Sequence, residues 1–196
     1  MMNIGHSKLT DWGISHISIN KHDTILDVGC GGGMTIRKLA AITTEGRIYG
    51  IDYSEESVAA AKRTNKQWIE KGRVEIQQGS VSHLPFSDNM FDLVIGVETH
   101  FFWPDLPADM QEILRVLKPG GSLLVIAEMY KGGKSENRIH KHAERFAEKA
   151  NMRLLSVDEH RELFSKAGYS DVQIIEDYNK GWIFGIGRKA SYWAAA

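Results

Sequence analysis

The stretch Asp27-Val28-Gly29-Cys30-Gly31-Gly32-Gly33-Met34 decides how the rest of this sequence reads. It follows Thr24-Ile25-Leu26-Asp27-Val28, a brief apolar run closed by glycine, which predicts a buried strand rather than a helix. It precedes a helix predicted from Met34 to Ile42, with Ile36, Leu39 and Ala40 on one face. Four glycines within five positions exceed the single one that a tight strand-to-helix turn needs. They leave backbone N–H groups open to a ligand with no Cβ in the way. A dinucleotide fingerprint, G-x-G-x-x-G, would place its third glycine at position 34, where Met34 stands, and no lysine closes the turn as in a phosphate loop. The turn therefore suits a nucleoside-like ligand without a pyrophosphate.

The alternation continues on both sides of this turn. Arg47-Ile48-Tyr49-Gly50-Ile51 predicts a second strand, and Ser54 caps a helix that carries Val58, Ala61, Asn65, Trp68 and Ile69 until Gly72. Further strands are expected at 74–77, 91–97 and 122–127. Pro107 opens a helix bearing Met110, Ile113, Leu114 and Leu117, ended by Lys118-Pro119-Gly120-Gly121. Ser156-Val157-Asp158-Glu159 has capping-box spacing for a last helix, and 172–175 and 182–186 form a final hairpin. Strands alternating with helices imply a parallel sheet covered on both faces, which binds ligands beside the carboxyl end of its first strand.

The chain has 196 residues, 42% hydrophobic and 25% charged, with a formal net charge of −1. One ordinary domain is expected, read as a cap at 1–20, a ligand-binding core at 21–128 and an acceptor-side segment with the hairpin at 129–196. A near-neutral balance supplies no clustered positive field for nucleic acid or an acidic membrane. The lone Cys30 allows no intramolecular disulfide. The first residues lack a basic region followed by an apolar stretch, and no apolar run approaches the roughly 20 residues of a membrane helix, so a cytoplasmic protein is expected. His140 and His142 stand two apart and point to different sides of a helix, and no HExxH or cysteine pair exists, so no metal site is expected. The run 131–149 reads as a solvated face of mixed charge.

Asp52 closes the second strand, 21 residues beyond Gly31. A carboxylate there either accepts both hydroxyls of a ribose or serves the helix that starts near Ser54. Taken with Ile25-Leu26-Asp27-Val28-Gly29-Cys30-Gly31-Gly32-Gly33, the stretch Tyr49-Gly50-Ile51-Asp52-Tyr53-Ser54 resembles the class I S-adenosylmethionine-dependent methyltransferases. Leu84-Pro85-Phe86, Phe91-Asp92-Leu93-Val94 and Arg115-Val116-Leu117-Lys118-Pro119-Gly120-Gly121 extend the resemblance in order over about residues 25–128. It is greatest to the small-molecule enzymes grouped with ubiquinone and menaquinone biosynthesis. The resemblance implies an α/β, Rossmann-like seven-stranded, mostly parallel sheet with helices on both faces and an antiparallel last strand. It implies S-adenosylmethionine as cofactor and S-adenosylhomocysteine as product. Gly29, Gly31 and Gly33 would lie against the methionyl part and ribose, Asp27 near the methionyl amino group, and Asp52 on the ribose hydroxyls. Tyr53 would pack on adenine and Val81 would offer its N–H, while Ser80 stands where many members carry an acidic residue.

Methyl transfer from a sulfonium needs alignment and exclusion of water, and a base only where the acceptor must lose a proton. The fourth strand runs into Glu98-Thr99-His100-Phe101-Phe102-Trp103-Pro104, which suggests a flat or apolar acceptor. His100 is the candidate base, or else a histidine that only bonds its loop. Phe101 belongs to the acceptor side or to the core beneath the next helix. Glu98, Glu128 and Tyr130 are further candidates for the acceptor side, with a solvated or structural role the alternative for Glu128 and Tyr130. Trp12 lies in a segment that resembles the helix covering the cofactor in related enzymes, as part of a lid or packed on the sheet edge. The expected partner is a small-molecule acceptor, and oligomeric state is not legible. Rival readings are a methyltransferase of protein or nucleic acid, a non-catalytic binding module, and a nicotinamide oxidoreductase, against which Met34 speaks.

Overall fold

A computed structural model describes residues 7–128, 130–133 and 152–191. Its strands are β1 (Thr24–Val28), β2 (Arg47–Asp52), β3 (Val74–Gln78), β4 (Phe91–Val97), β5 (Leu117–Ala127), β6 (Ser170–Asp177) and β7 (Trp182–Arg188). They form one sheet in the order β3-β2-β1-β4-β5-β7-β6. β3, β2, β1, β4 and β5 pair in parallel, whereas β7 runs antiparallel to both β5 and β6. This is the Rossmann-like sheet with an antiparallel last strand that the resemblance implied.

Helices α1 (Ser7–Ile14), α2 (Met34–Ile42), α3 (Glu55–Thr64), α4 (Lys66–Glu70), α5 (Leu106–Val116) and α6 (Val157–Lys166) lie around it. Alternate residues of each central strand enter opposite layers of the core, as a two-residue side-chain period requires. Ile25, Leu93, Ile95, Leu124 and Ile126 meet Leu9 of α1, Ile36 and Leu39 of α2 and Val58 of α3. Leu26, Val94, Leu123 and Val125 meet Met110 and Ile113 of α5 and Phe164 of α6. Both faces are therefore apolar, which is why these strands are continuous hydrophobic runs. No helix among the described residues is long and apolar enough to cross a membrane.

The capping box at Ser156 forms in both directions, with Glu159 N–H donating to Ser156 Oγ at 3.2 Å and Ser156 N–H to Glu159 Oε2 at 2.7 Å. One expected helix divides in two. Asn65, at φ −110 and ψ 15, leaves the helical conformation and caps α3, and its Nδ2 shares the carbonyls of Ala61 and Gly33 at 3.0 and 2.9 Å, pinning the helix end to the glycine turn. Two motifs that carried the resemblance serve the scaffold. Arg115 donates to the carbonyls of Phe86 and Leu84 at 2.9 and 3.1 Å and pairs with Glu112 and Asp88, clamping the Leu84-Pro85-Phe86 turn onto α5. Asp92 accepts from Thr24 N–H at 2.8 Å and from Lys118 Nζ at 2.7 Å, tying the starts of β1, β4 and β5 together. The segment 134–151, including His140 and His142 and most of the charge run, lies outside the described residues, as does the tail from 192.

Candidate active site

Strand order reverses on either side of β1, and a cleft of about 780 Å³ opens at the carboxyl ends of the strands there. It is lined by the glycine turn, the end of β2, the 79–81 turn, the segment after β4, and Ser7 and Thr10 of α1.

The glycine turn takes its shape from the carboxylate closing β2. Asp52 Oδ2 accepts the Gly31 N–H at 2.8 Å, and Oδ1 accepts the Ser54 N–H at 2.9 Å. The N–H groups of Gly29 and Cys30 both donate to the Ile51 carbonyl at 2.9 Å. A carboxylate offers about four lone-pair positions, so Asp52 retains two for a diol while its own geometry stays fixed. Ser54 itself caps α3 through the Ser57 N–H, so Asp52 serves that helix only by holding the Ser54 amide. Gly31 has φ +50, and a Cβ built there meets nothing within 4 Å, which leaves an open path to the backbone.

Asp27, next to last in β1, is 1% exposed, and its Oδ2 has no hydrogen-bond partner. Burial, with the nearby charge of Asp52, pushes its carboxyl up to about 8. An orphaned acid aimed into a cleft is suited to a cationic group that restores its ionisation. Burial first, then the same two acids, also push the Cys30 thiol upward, which makes it a poor nucleophile.

Tyr53 borders the cleft at 81% exposure and offers a free aromatic face. Ser80 and the buried Val81 line the same end, with Ser80 Oγ accepting the Ser82 N–H at 3.2 Å. Gly29 is also on the wall. Gly33 is not: it stands against α3, where a Cβ would meet Ala61 Cα at 2.9 Å. Its role is close packing rather than contact with a ligand.

At the opposite end the structure corrects three expectations. His100 is 2% exposed and absent from the cleft wall. Its Nε2 lies 3.0 Å from His160 Nε2, and His160 Nδ1 lies 2.7 Å from the Ser156 carbonyl. A carbonyl only accepts, so His160 Nδ1 carries a proton, its Nε2 accepts, and His100 Nε2 donates. Burial, with His160 beside it, lowers the His100 pKa well below its usual value, and burial lowers that of His160. His100 is thus a neutral strut between the loop and α6, not the base. Trp12 packs edge-on against His16 at 4.9 Å and beside Trp182 at 5.6 Å, and α1 meets the cleft through Ser7 and Thr10 instead. Tyr130 is buried with its hydroxyl donating to Glu176 at 2.8 Å, away from the wall.

Glu98, Phe101 and Glu128 do line the cleft, joined by Phe102 and Trp103. Glu98 has φ +59, a left-handed conformation that costs a non-glycine residue about 1–3 kcal/mol. Its N–H donates to the Ile126 carbonyl at 2.9 Å, and its Oε1 accepts the Glu128 N–H. Burial pushes the Glu98 carboxyl up to about 7, and the charge of Glu128 adds to the rise against the lowering by that amide. No group of three or more His, Cys, Asp or Glu side chains among the described residues could hold a metal.

The histidine pair predicts an acid-labile fold. Two neutral imidazoles gain protons more readily when unfolded, so their contribution is full above about pH 6.5 and is lost as pH falls below it. Asp27 and Glu98, with raised values, work oppositely: their contribution is full at low pH and is lost as pH rises toward 7–8. Melting curves from pH 7 to 5 should therefore show a loss in the wild type relative to a His100→Gln/His160→Gln variant. Parallel curves would remove the pair from the acid response.

Comparison with known proteins agrees with this geometry. A family model described as a methyltransferase domain matches residues 26–125. An uncharacterized methyltransferase of Bacillus subtilis, YdaC, is 33% identical over 117 residues, covering 60% of this chain and 62% of that protein. The demethylmenaquinone methyltransferase of Lactiplantibacillus plantarum is 37% identical over 113 residues, covering 57% of this chain and 46% of that one. The chain therefore spans less than two thirds of either relative. Geranyl diphosphate C-methyltransferase from Streptomyces coelicolor, solved with geranyl diphosphate, Mg2+ and S-adenosyl-L-homocysteine, superposes with a TM-score of 0.78 at 15% identity, over 94% of this chain and 81% of that one.

Proposed function

We propose that this chain, which belongs to the class I S-adenosylmethionine-dependent methyltransferases, moves a methyl group to a small-molecule acceptor by in-line displacement. The observation that carries the reading is the pairing of an orphaned acid, Asp27, with a rigidly held carboxylate, Asp52, on one cleft. S-adenosylmethionine has a cationic amino group for the first and a ribose diol for the second, so the residues fit the cofactor. When bound, it supplies a methyl group already activated by the sulfonium charge.

The chain's own residues then bind, orient and exclude water. Asp27 holds the amino group, and Asp52 accepts from the diol by charge-assisted hydrogen bonds. The main chain of Gly29 and Gly31 supports the methionyl and ribose parts, Tyr53 stacks on adenine, and Ser80 and Val81 border the ring. The far end of the cleft, walled by Glu98, Phe101, Phe102, Trp103 and Glu128, receives the acceptor. A volume of about 780 Å³ shared between cofactor and acceptor suits a small molecule rather than a folded protein or a duplex.

Titration with S-adenosylhomocysteine tests the reading: the expected result is saturable binding with proton release. Asp27 is protonated near pH 7 and ionises beside the incoming ammonium, so calorimetry in buffers of differing ionisation enthalpy should register up to one proton released, lost in Asp27→Asn. Failure to bind at millimolar ligand would remove the methyltransferase reading.

A further inference from the structure

Resting on that reading, we propose that the acceptor is an amine, entering as an ammonium on an aromatic or aliphatic body, and that Glu98 takes its proton. Four carboxylic side chains line the cleft: Asp27, Asp52, Glu98 and Glu128. Lys38, the one cationic side chain on the wall among the described residues, is already bonded to Asp11. With the wall's titratable groups acidic and its one cation engaged, a cation entering the cleft favours the ionised form of these acids, whereas a carboxylate or phosphate opposes it. Asp27 and Asp52 are taken by the cofactor, which leaves Glu98 and Glu128 for the second ligand.

The two glutamates converge because β4 and β5 are adjacent and parallel, with Val97 in register with Ile126. The left-handed turn at Glu98 brings its Oε1 to the Glu128 amide, so Oε2 is the oxygen available to a ligand. Glu128 Oε1 is steadied by Trp182 Nε1 at 3.3 Å. Phe102, 49% exposed, and Trp103 stand on the same stretch of wall, and aromatic faces attract a cation as well as an apolar body. Acid and aromatic together match an ammonium better than a neutral hydroxyl or an anion.

An ammonium has no lone pair to attack with, so a proton must leave first. With His100 turned into the core, Glu98 and Glu128 are the titratable side chains at this end of the wall among the described residues. The N–H bond breaks, the proton goes to Glu98 Oε2, and the electron pair stays on nitrogen. Nitrogen forms its bond to the methyl carbon as the carbon–sulfur bond breaks and that pair goes to sulfur. The product leaves as a methylated ammonium, and Glu98 returns its proton to solvent. A carboxyl near neutrality serves this purpose better than an ordinary one.

Calorimetric titration of the intact chain with 2-phenylethylamine and with 2-phenylethanol, with and without saturating S-adenosylhomocysteine, tests this. The amine should bind about tenfold or more tightly than the alcohol, as a charge-assisted contact predicts. Glu98→Gln keeps an oxygen for the Glu128 amide, and should erase that preference while leaving S-adenosylhomocysteine affinity and cooperative melting intact. Equal affinity for the two probes, or a preference that survives Glu98→Gln, overturns the proposal while the cofactor reading stands. Absence of S-adenosylhomocysteine binding overturns both.

Discussion

Asp52→Ala should weaken S-adenosylhomocysteine binding by about 1.5–3 kcal/mol, roughly 10- to 150-fold in Kd. The substitution removes charged acceptors for the diol, and it also frees the Gly31 and Ser54 amides that Asp52 now holds at 2.8 and 2.9 Å. The second effect loosens the turn that supports the other half of the ligand, so the loss belongs near the upper end of that range. Asp52→Asn separates the two contributions. Its single oxygen keeps one amide in place without the charge, and an affinity between those of the wild type and the alanine variant is expected. Isothermal titration measures all three, and an unchanged Kd in the alanine variant would take Asp52 out of the ligand site.

Two glycines of the same turn should fail in opposite ways. Gly33 has φ +78, and an added Cβ would lie 2.9 Å from the Ala61 Cα and 2.5 Å from Asn65 Nδ2. Main chain cannot give way as a flexible side chain can. Gly33→Ala therefore combines left-handed strain with overpacking, each costing about 1–3 kcal/mol, and the fold should lose roughly 2–6 kcal/mol on that basis. Gly31→Ala carries a similar strain but meets no atom within 4 Å. Its methyl group enters the cleft where the ligand belongs, so binding should fall at least about tenfold while stability drops by only about 1 kcal/mol. Denaturant melts paired with titrations decide the matter. If Gly31→Ala left binding intact, the ligand would not lie against this turn.

The legible part of the site sits where backbone geometry follows from local composition. Glycine spacing, the apolar run before it and the acid ending β2 point to Gly29, Gly31 and Asp52, the family resemblance adds Asp27, Tyr53, Ser80 and Val81, and all seven line one cleft. The acceptor end depends on longer-range contacts. His100 and Glu98 are two residues apart: Glu98 is itself left-handed, and His100 opens a short 3-10 turn. Which of the two faces the cleft depends on that local conformation, and glutamate gives no local signal for φ +59. The pattern Glu-Thr-His drew attention to the histidine for its usual pKa, whereas burial disqualifies it and raises the glutamate toward neutrality. Trp12 and Tyr130 each have a structural alternative to the cleft, and packing against β7 and bonding to Glu176 select it.

Short-range patterns in the chain set the strands, most of the helices, the turn at the end of β1 and the acid at the end of β2, because each depends on contacts within a few residues or on a short period. Tertiary structure alone decided that Asp52 would brace the glycine turn, that His160, 60 positions away, would occupy His100, and that Glu98 and Glu128 would meet across neighbouring strands. Burial and the electrostatic field are properties of the assembled fold, so the chemical character of a titratable side chain is set only when distant parts of the chain close around it.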